Sequence, residues 1–116
     1  MLIILLELLE NLQILIQHDH KDCHHNKKKL IKDLKNSYQT CKNIEITLLS
    51  TYIQKINDEN RYKGIFYLST GSILYILEVL SDFFEVCQNN YVSEQLLKYE
   101  VLNLNRRLQH IIRKGE

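Results

Sequence analysis

Neither proline nor alanine occurs in the 116 residues, and glycine occurs three times. Without proline, nothing removes an amide donor or clashes with a preceding helical turn, so long helices are permitted throughout. Without alanine, the best intrinsic helix former is missing. Helices must then be held by burying apolar faces rather than by propensity. The means to do so is present: 34 positions are leucine or isoleucine. Ten asparagines, and eleven lysines against four arginines, accompany them. That bias fits AT-rich coding, as in a virus, phage, parasite or low-GC bacterium.

Charge of neither sign dominates. Fifteen basic and fourteen acidic side chains leave a net charge of +1, which argues against a general polyanion binder but allows a local basic patch. Apolar residues make up 45% and charged residues 25%, a composition able to fill one core. The expected organisation is one helical-bundle domain over residues 1–116. The cysteines number three and cannot all pair within the chain. Cys41 and Cys87 fall on apolar helical stripes, as small buried hydrophobes do, so a reducing, cytoplasmic compartment is expected. The opening string MLIILLELLENLQILIQ lacks the positive start and the cleavage site of a signal peptide. Glu7, Glu10, Asn11 and Gln13 interrupt it, and its apolar run is shorter than the roughly 20 residues a bilayer requires. It reads as a first helix, not a membrane span.

Hydrophobic spacing predicts four helices. The first covers about 2–17, where Ile4, Leu5, Leu8, Leu9, Leu12, Leu15 and Ile16 form an apolar arc of roughly 200°. Either this helix is central, or part of it faces a second subunit. The second is expected to run from about 27 to 57, with Leu34, Tyr38, Cys41, Leu48 and Tyr52 as a seam and a bend near Lys42 and Asn43. A turn follows at 58–64. The third helix reaches Cys87 with Ile73, Leu77, Leu80, Phe84 and Cys87 at 4-3-4-3 spacing, beginning either near Ser69 or as far back as Arg61. Its glycine and serines would also permit a close helix approach. The fourth starts after an N-cap at Ser93 and repeats that spacing at Leu97, Val101, Leu104, Leu108 and Ile111, with Arg113 and Lys114 in its last turn. The fold class is all-α: an up-and-down antiparallel bundle of about four helices that associates with itself.

The most unusual string is HDHKDCHH at 18–25, where His20, Cys23 and His24 have the spacing of a three-ligand metal set. A polar surface connection is the favoured reading of the string, since no second ligand pair stands elsewhere at a defined spacing, and the metal set is the alternative. No nucleophile elbow, phosphate loop or paired-carboxylate motif appears, and neither enzymatic activity nor a cofactor is expected. Basic residues form two clusters. Lys27, Lys28, Lys29, Lys32, Lys35 and Lys42 lie in the second helix; Arg106, Arg107, His110, Arg113 and Lys114 lie near the C-terminus. Placed at one end of the bundle, they would make a phosphate-binding patch. Lys28, Lys29, Lys32, Arg106, Arg107 and Arg113 would then contact nucleic acid, the less favoured partner.

The favoured reading is a non-enzymatic interaction protein, of the accessory or inhibitory kind that viruses and mobile elements carry. It would bind a partner protein or form a homodimer through surplus leucine and tyrosine surface. Leu5, Leu9 and Ile16 on the first helix, with Tyr67, Tyr75 and Tyr99 off the main stripes, are the residues expected to supply that surface.

Overall fold

The computed structural model describes residues 2–18, 24–59, 65–89 and 93–113, and these form five helices: α1 (Leu2–His18), α2 (His24–Cys41), α3 (Ile46–Asp58), α4 (Thr70–Asn89) and α5 (Glu94–Arg107). The fold class is all-α, with no strand among the described residues. None of their helices is long and apolar enough to cross a membrane.

The wide apolar arc of α1 is absorbed within the chain. Leu5, Leu8, Leu9, Leu12 and Leu15 have no exposed surface, and Ile4 and Ile16 pack against the same core. Both α2 and α5 lie against α1, so its surplus is covered by the chain's own helices. Its outward stripe is Ile3, Glu7, Glu10 and Ile14, spaced four, three and four. α1 and α2 run antiparallel: Asn11 reaches Ser37 and the Asp33 carbonyl, while Ile4 shares a groove with Thr40.

The expected long second helix is two helices. α2 ends at Cys41 and a turn at Lys42 and Asn43 closes with the Ile44 amide donating to the Cys41 carbonyl at 3.1 Å. α3 restarts behind Glu45, whose extended backbone caps without a side-chain hydrogen bond. The restart changes the helical phase. Leu48, expected in the seam, is exposed, and Leu49, Ile53 and Ile56 point inward instead. Tyr38 keeps its seam position, its ring 5.2 Å from that of Phe84, and Tyr52 packs on the core.

α4 is buried on more than one side because α2, α3 and α5 all pack on it. Ile73, Ile76, Leu77, Val79, Leu80, Phe83 and Phe84 are all in the core. It begins at Thr70, and Ser69 caps it by accepting from the Ser72 amide at 3.1 Å. Gly71 does not mediate a close helix approach, since a Cβ there would meet only Ser69 Oγ at 3.9 Å.

α5 begins after Ser93, whose hydroxyl accepts from the Leu96 amide at 3.2 Å, and runs antiparallel to α4. It stops at Arg107, earlier than the spacing implies. Leu108 and Ile111 are buried as expected, but from a tight turn rather than a helix. Arg113 is therefore not in a last helical turn, which holds Arg106 and Arg107 instead. Beyond the turn, Ile112 pairs with Phe66 in an isolated antiparallel bridge. The Tyr67 amide donates to the Ile111 carbonyl at 2.6 Å and the Arg113 amide to the Ile65 carbonyl at 2.8 Å. Phe66 and Ile111 are each 2% exposed, so apolar burial ended the helix in favour of this tie.

Candidate functional site

Partner-binding surface requires apolar side chains that the core leaves outside. Leu5 and Leu9 have none to offer, being fully buried, and Ile16 is partly buried against the core. The correction comes from helix packing: α1 is enclosed by its neighbours. Tyr67 and Tyr99 stand out at 57% and 59% exposure, and Tyr75 is half-buried beside His110.

The other exposed large hydrophobics are Ile3, Ile14, Ile46, Leu48, Leu74 and Leu102. Geometry separates them. Ile3 and Ile14 are divided by Glu7 and Glu10; Ile46 and Leu48, two residues apart, point away from each other on α3. Leu74 has Gly71 and Glu78 as its exposed neighbours along α4. Among the described residues, only Tyr99 and Leu102 adjoin on one helix face, at i and i+3, with exposed Arg106 four residues further on. Arg106 is steadied by its own helix, donating to Asn103 Oδ1 at 2.7 Å. This Tyr99–Leu102–Arg106 stripe is the candidate interaction face. Leu102 is the member that sequence spacing missed, although its place between Tyr99 and Arg106 at three and four residues was the available signal.

The two basic clusters do not merge. Lys28, Lys32 and Lys35 border Phe84, Cys87 and Gln88 near the C-terminal end of α4. Arg107 lies over Asp82 at 3.0 Å, His110 stacks at 5.1 Å from the Tyr75 ring, and Arg113 lies 5.9 Å from the Tyr67 ring. Tyr75 and Cys87 are about 18 Å apart along α4 at 1.5 Å per residue. Lys29 and Lys42 are exposed, whereas Lys27 is 3% exposed and belongs to the interior. The Asp82 carboxylate and the Tyr75 hydroxyl hold the Arg107 guanidinium above its ordinary range. Arg107 is thereby partly neutralised for any phosphate.

Of the proposed metal set, His20 and Cys23 lie outside the described residues, and of His24 only its place at the start of α2 is described. Among the described residues, no group of three or more histidine, cysteine, aspartate or glutamate side chains could hold a metal ion. Glu7, Glu10 and Asp33 line an open groove of about 550 Å³ between α1 and α2 with Asn11 and Ser37. The groove follows from the polar crossing of those two helices.

Cys41 is buried and Cys87 half-buried, and neither is in a disulfide. Burial pushes each thiol up to about 11; at Cys87 the Glu100 charge adds to the effect and Lys35 opposes it. Both are protonated near neutral pH and poor nucleophiles. No protein-family model, curated protein or solved structure matches the chain.

Proposed function

We propose that the protein is a non-enzymatic interaction module that pairs with a second copy of itself through the outer face of α5. The observation that carries this reading is the Tyr99–Leu102–Arg106 stripe, where an aromatic ring, an aliphatic side chain and a guanidinium share one exposed face. Tyrosine and arginine are the residue types that anchor interfaces most often.

The stripe is also complementary to itself. Two α5 helices packed antiparallel about a two-fold axis bring Tyr99 opposite Arg106 of the partner subunit, with Leu102 close to the axis. Each subunit then supplies one ring and one cation to two identical contacts, as an isologous interface requires. A guanidinium over a tyrosine ring contributes about 0.5–2 kcal/mol, the larger value when water is excluded. Burial of two leucines adds to it.

The accompanying architecture is an up-and-down antiparallel bundle of α1, α2, α4 and α5, with α3 as an excursion between α2 and α4. Such a bundle presents one face of each helix outward and needs no cofactor to do so. An accessory or inhibitory role follows from the same property, because a paired α5 face masks whatever it covers.

Light scattering across a concentration series tests the reading. The wild-type chain is expected to reach twice the mass of one chain, 13.9 kDa, and Leu102→Glu to remain at that single-chain mass. A wild type that stays at 13.9 kDa at every concentration contradicts it.

A further inference from the structure

We propose that Tyr67, Tyr75, His110 and Arg113 form a small cation–aromatic site for single-stranded nucleic acid, built on the tie between the segment before α4 and the residues after α5. The site is separate from the lysine cluster of α2 and from the Tyr99–Leu102 stripe, and it does not depend on self-association.

Three observations converge on it. Tyr67 is 57% exposed although both of its sequence neighbours, Phe66 and Leu68, are buried. Its backbone is fixed by the amide hydrogen bond to Ile111, so the ring projects from a braced position. Arg113 is held on the opposite side of the same bridge by its amide bond to Ile65, and its guanidinium lies 5.9 Å from the Tyr67 ring centre. Tyr75 on α4 stacks with His110 at 5.1 Å and 59° between planes, and His110 stands three residues before Arg113 in the turn that leads to the bridge.

The chemistry selects the ligand. An unpaired base can stack on an exposed tyrosine, and the contact tolerates any base because each has a π-face. The phosphates on either side carry the negative charge that Arg113 and the His110 ring N–H can meet. A duplex offers no free base face. Nor is the surface a broad cationic field, since the net charge is +1 and Asp82 already occupies Arg107. A short single strand, contacting one or two nucleotides, suits these dimensions.

Fluorescence anisotropy of the full chain with a labelled short oligothymidylate at low salt reads the binding. The expected result is saturable binding that weakens as salt rises. Tyr67→Leu and Arg113→Gln should each weaken it by about fivefold or more, and Tyr67→Phe, which keeps the stacking ring, should retain it. Circular dichroism of each variant shows that the fold persists. Lys28→Gln with Lys32→Gln should leave the affinity within about twofold, because those side chains lie at the other end of α4. No binding at low salt overturns the proposal. So does duplex binding as tight as single-strand binding, or a loss on the lysine changes with none on Tyr67→Leu. Each outcome is read whether the chain is monomeric or paired, so failure here is distinct from failure of the α5 interface.

Discussion

Phe66 and Ile112 face each other in one antiparallel bridge, flanked by the Tyr67–Ile111 and Arg113–Ile65 backbone bonds. The tie closes the chain by joining the segment ahead of α4 to the residues behind α5. It also sets Tyr67 and Arg113 on the surface, because their sequence neighbours Phe66 and Ile112 pack in and against the core.

Truncation of that anchor should be costly. Phe66→Ala removes a side chain that is 2% exposed and is expected to destabilise the fold by about 3–5 kcal/mol, the range for emptied aromatic core positions. Urea denaturation followed by circular dichroism checks this. A loss below about 1 kcal/mol would mean that Phe66 is not enclosed as described.

A gain is expected at the start of α4. Gly71 lies in the first turn of the helix with open space where a Cβ would stand. Gly71→Ala should raise stability by about 0.4–1 kcal/mol by restricting the unfolded chain. The same denaturation measurement decides it, and a decrease would show that the position demands glycine.

The thiols give a pH dependence with a definite sign. Burial holds the Cys41 and Cys87 thiols up at about 11 in the fold, against an ordinary thiol value near 9.0 in the unfolded chain. Between these values the unfolded state loses its thiol protons first, so rising pH favours unfolding. Their contribution is complete below about pH 9 and is lost as pH rises through about 11. Cys41→Val should therefore flatten the fall in stability over that window, measured against wild type. In the same fold at neutral pH, peptide mapping after brief alkylation should find Cys41 unmodified; rapid alkylation there would contradict its burial.

Helical periodicity carried much of this architecture. Ile73, Leu77, Leu80 and Phe84 of α4 and Leu97, Val101 and Leu104 of α5 are buried where spacing placed them, and the Ser93 cap makes its expected hydrogen bond. These features are local: each rests on residues three or four apart. The features that spacing did not disclose are non-local. The phase reset at Ile44 and Glu45 moved Leu48 outward and Leu49 inward, a choice decided by what α4 presents to α3. The end of α5 at Arg107 depends on Ile65 and Tyr67, residues remote in sequence whose backbone groups pair with those of Arg113 and Ile111. Enclosure of Leu5 and Leu9 likewise depends on α2 and α5 closing over α1. Tyr67 and Tyr99 were legible as surface because they fall off every apolar stripe, whereas the pairing of Tyr67 with Arg113 required the bridge.

Self-pairing through α5 is tested most directly by isotope-filtered NOE spectroscopy on an equal mixture of labelled and unlabelled chains. Contacts between subunits are expected from the Tyr99 ring to the Arg106 side chain of the partner subunit, and between the two Leu102 methyl groups. Intermolecular contacts that instead involve Ile46, Leu48 or Ile14, or none at concentrations where the mass is that of a dimer, would contradict the assignment.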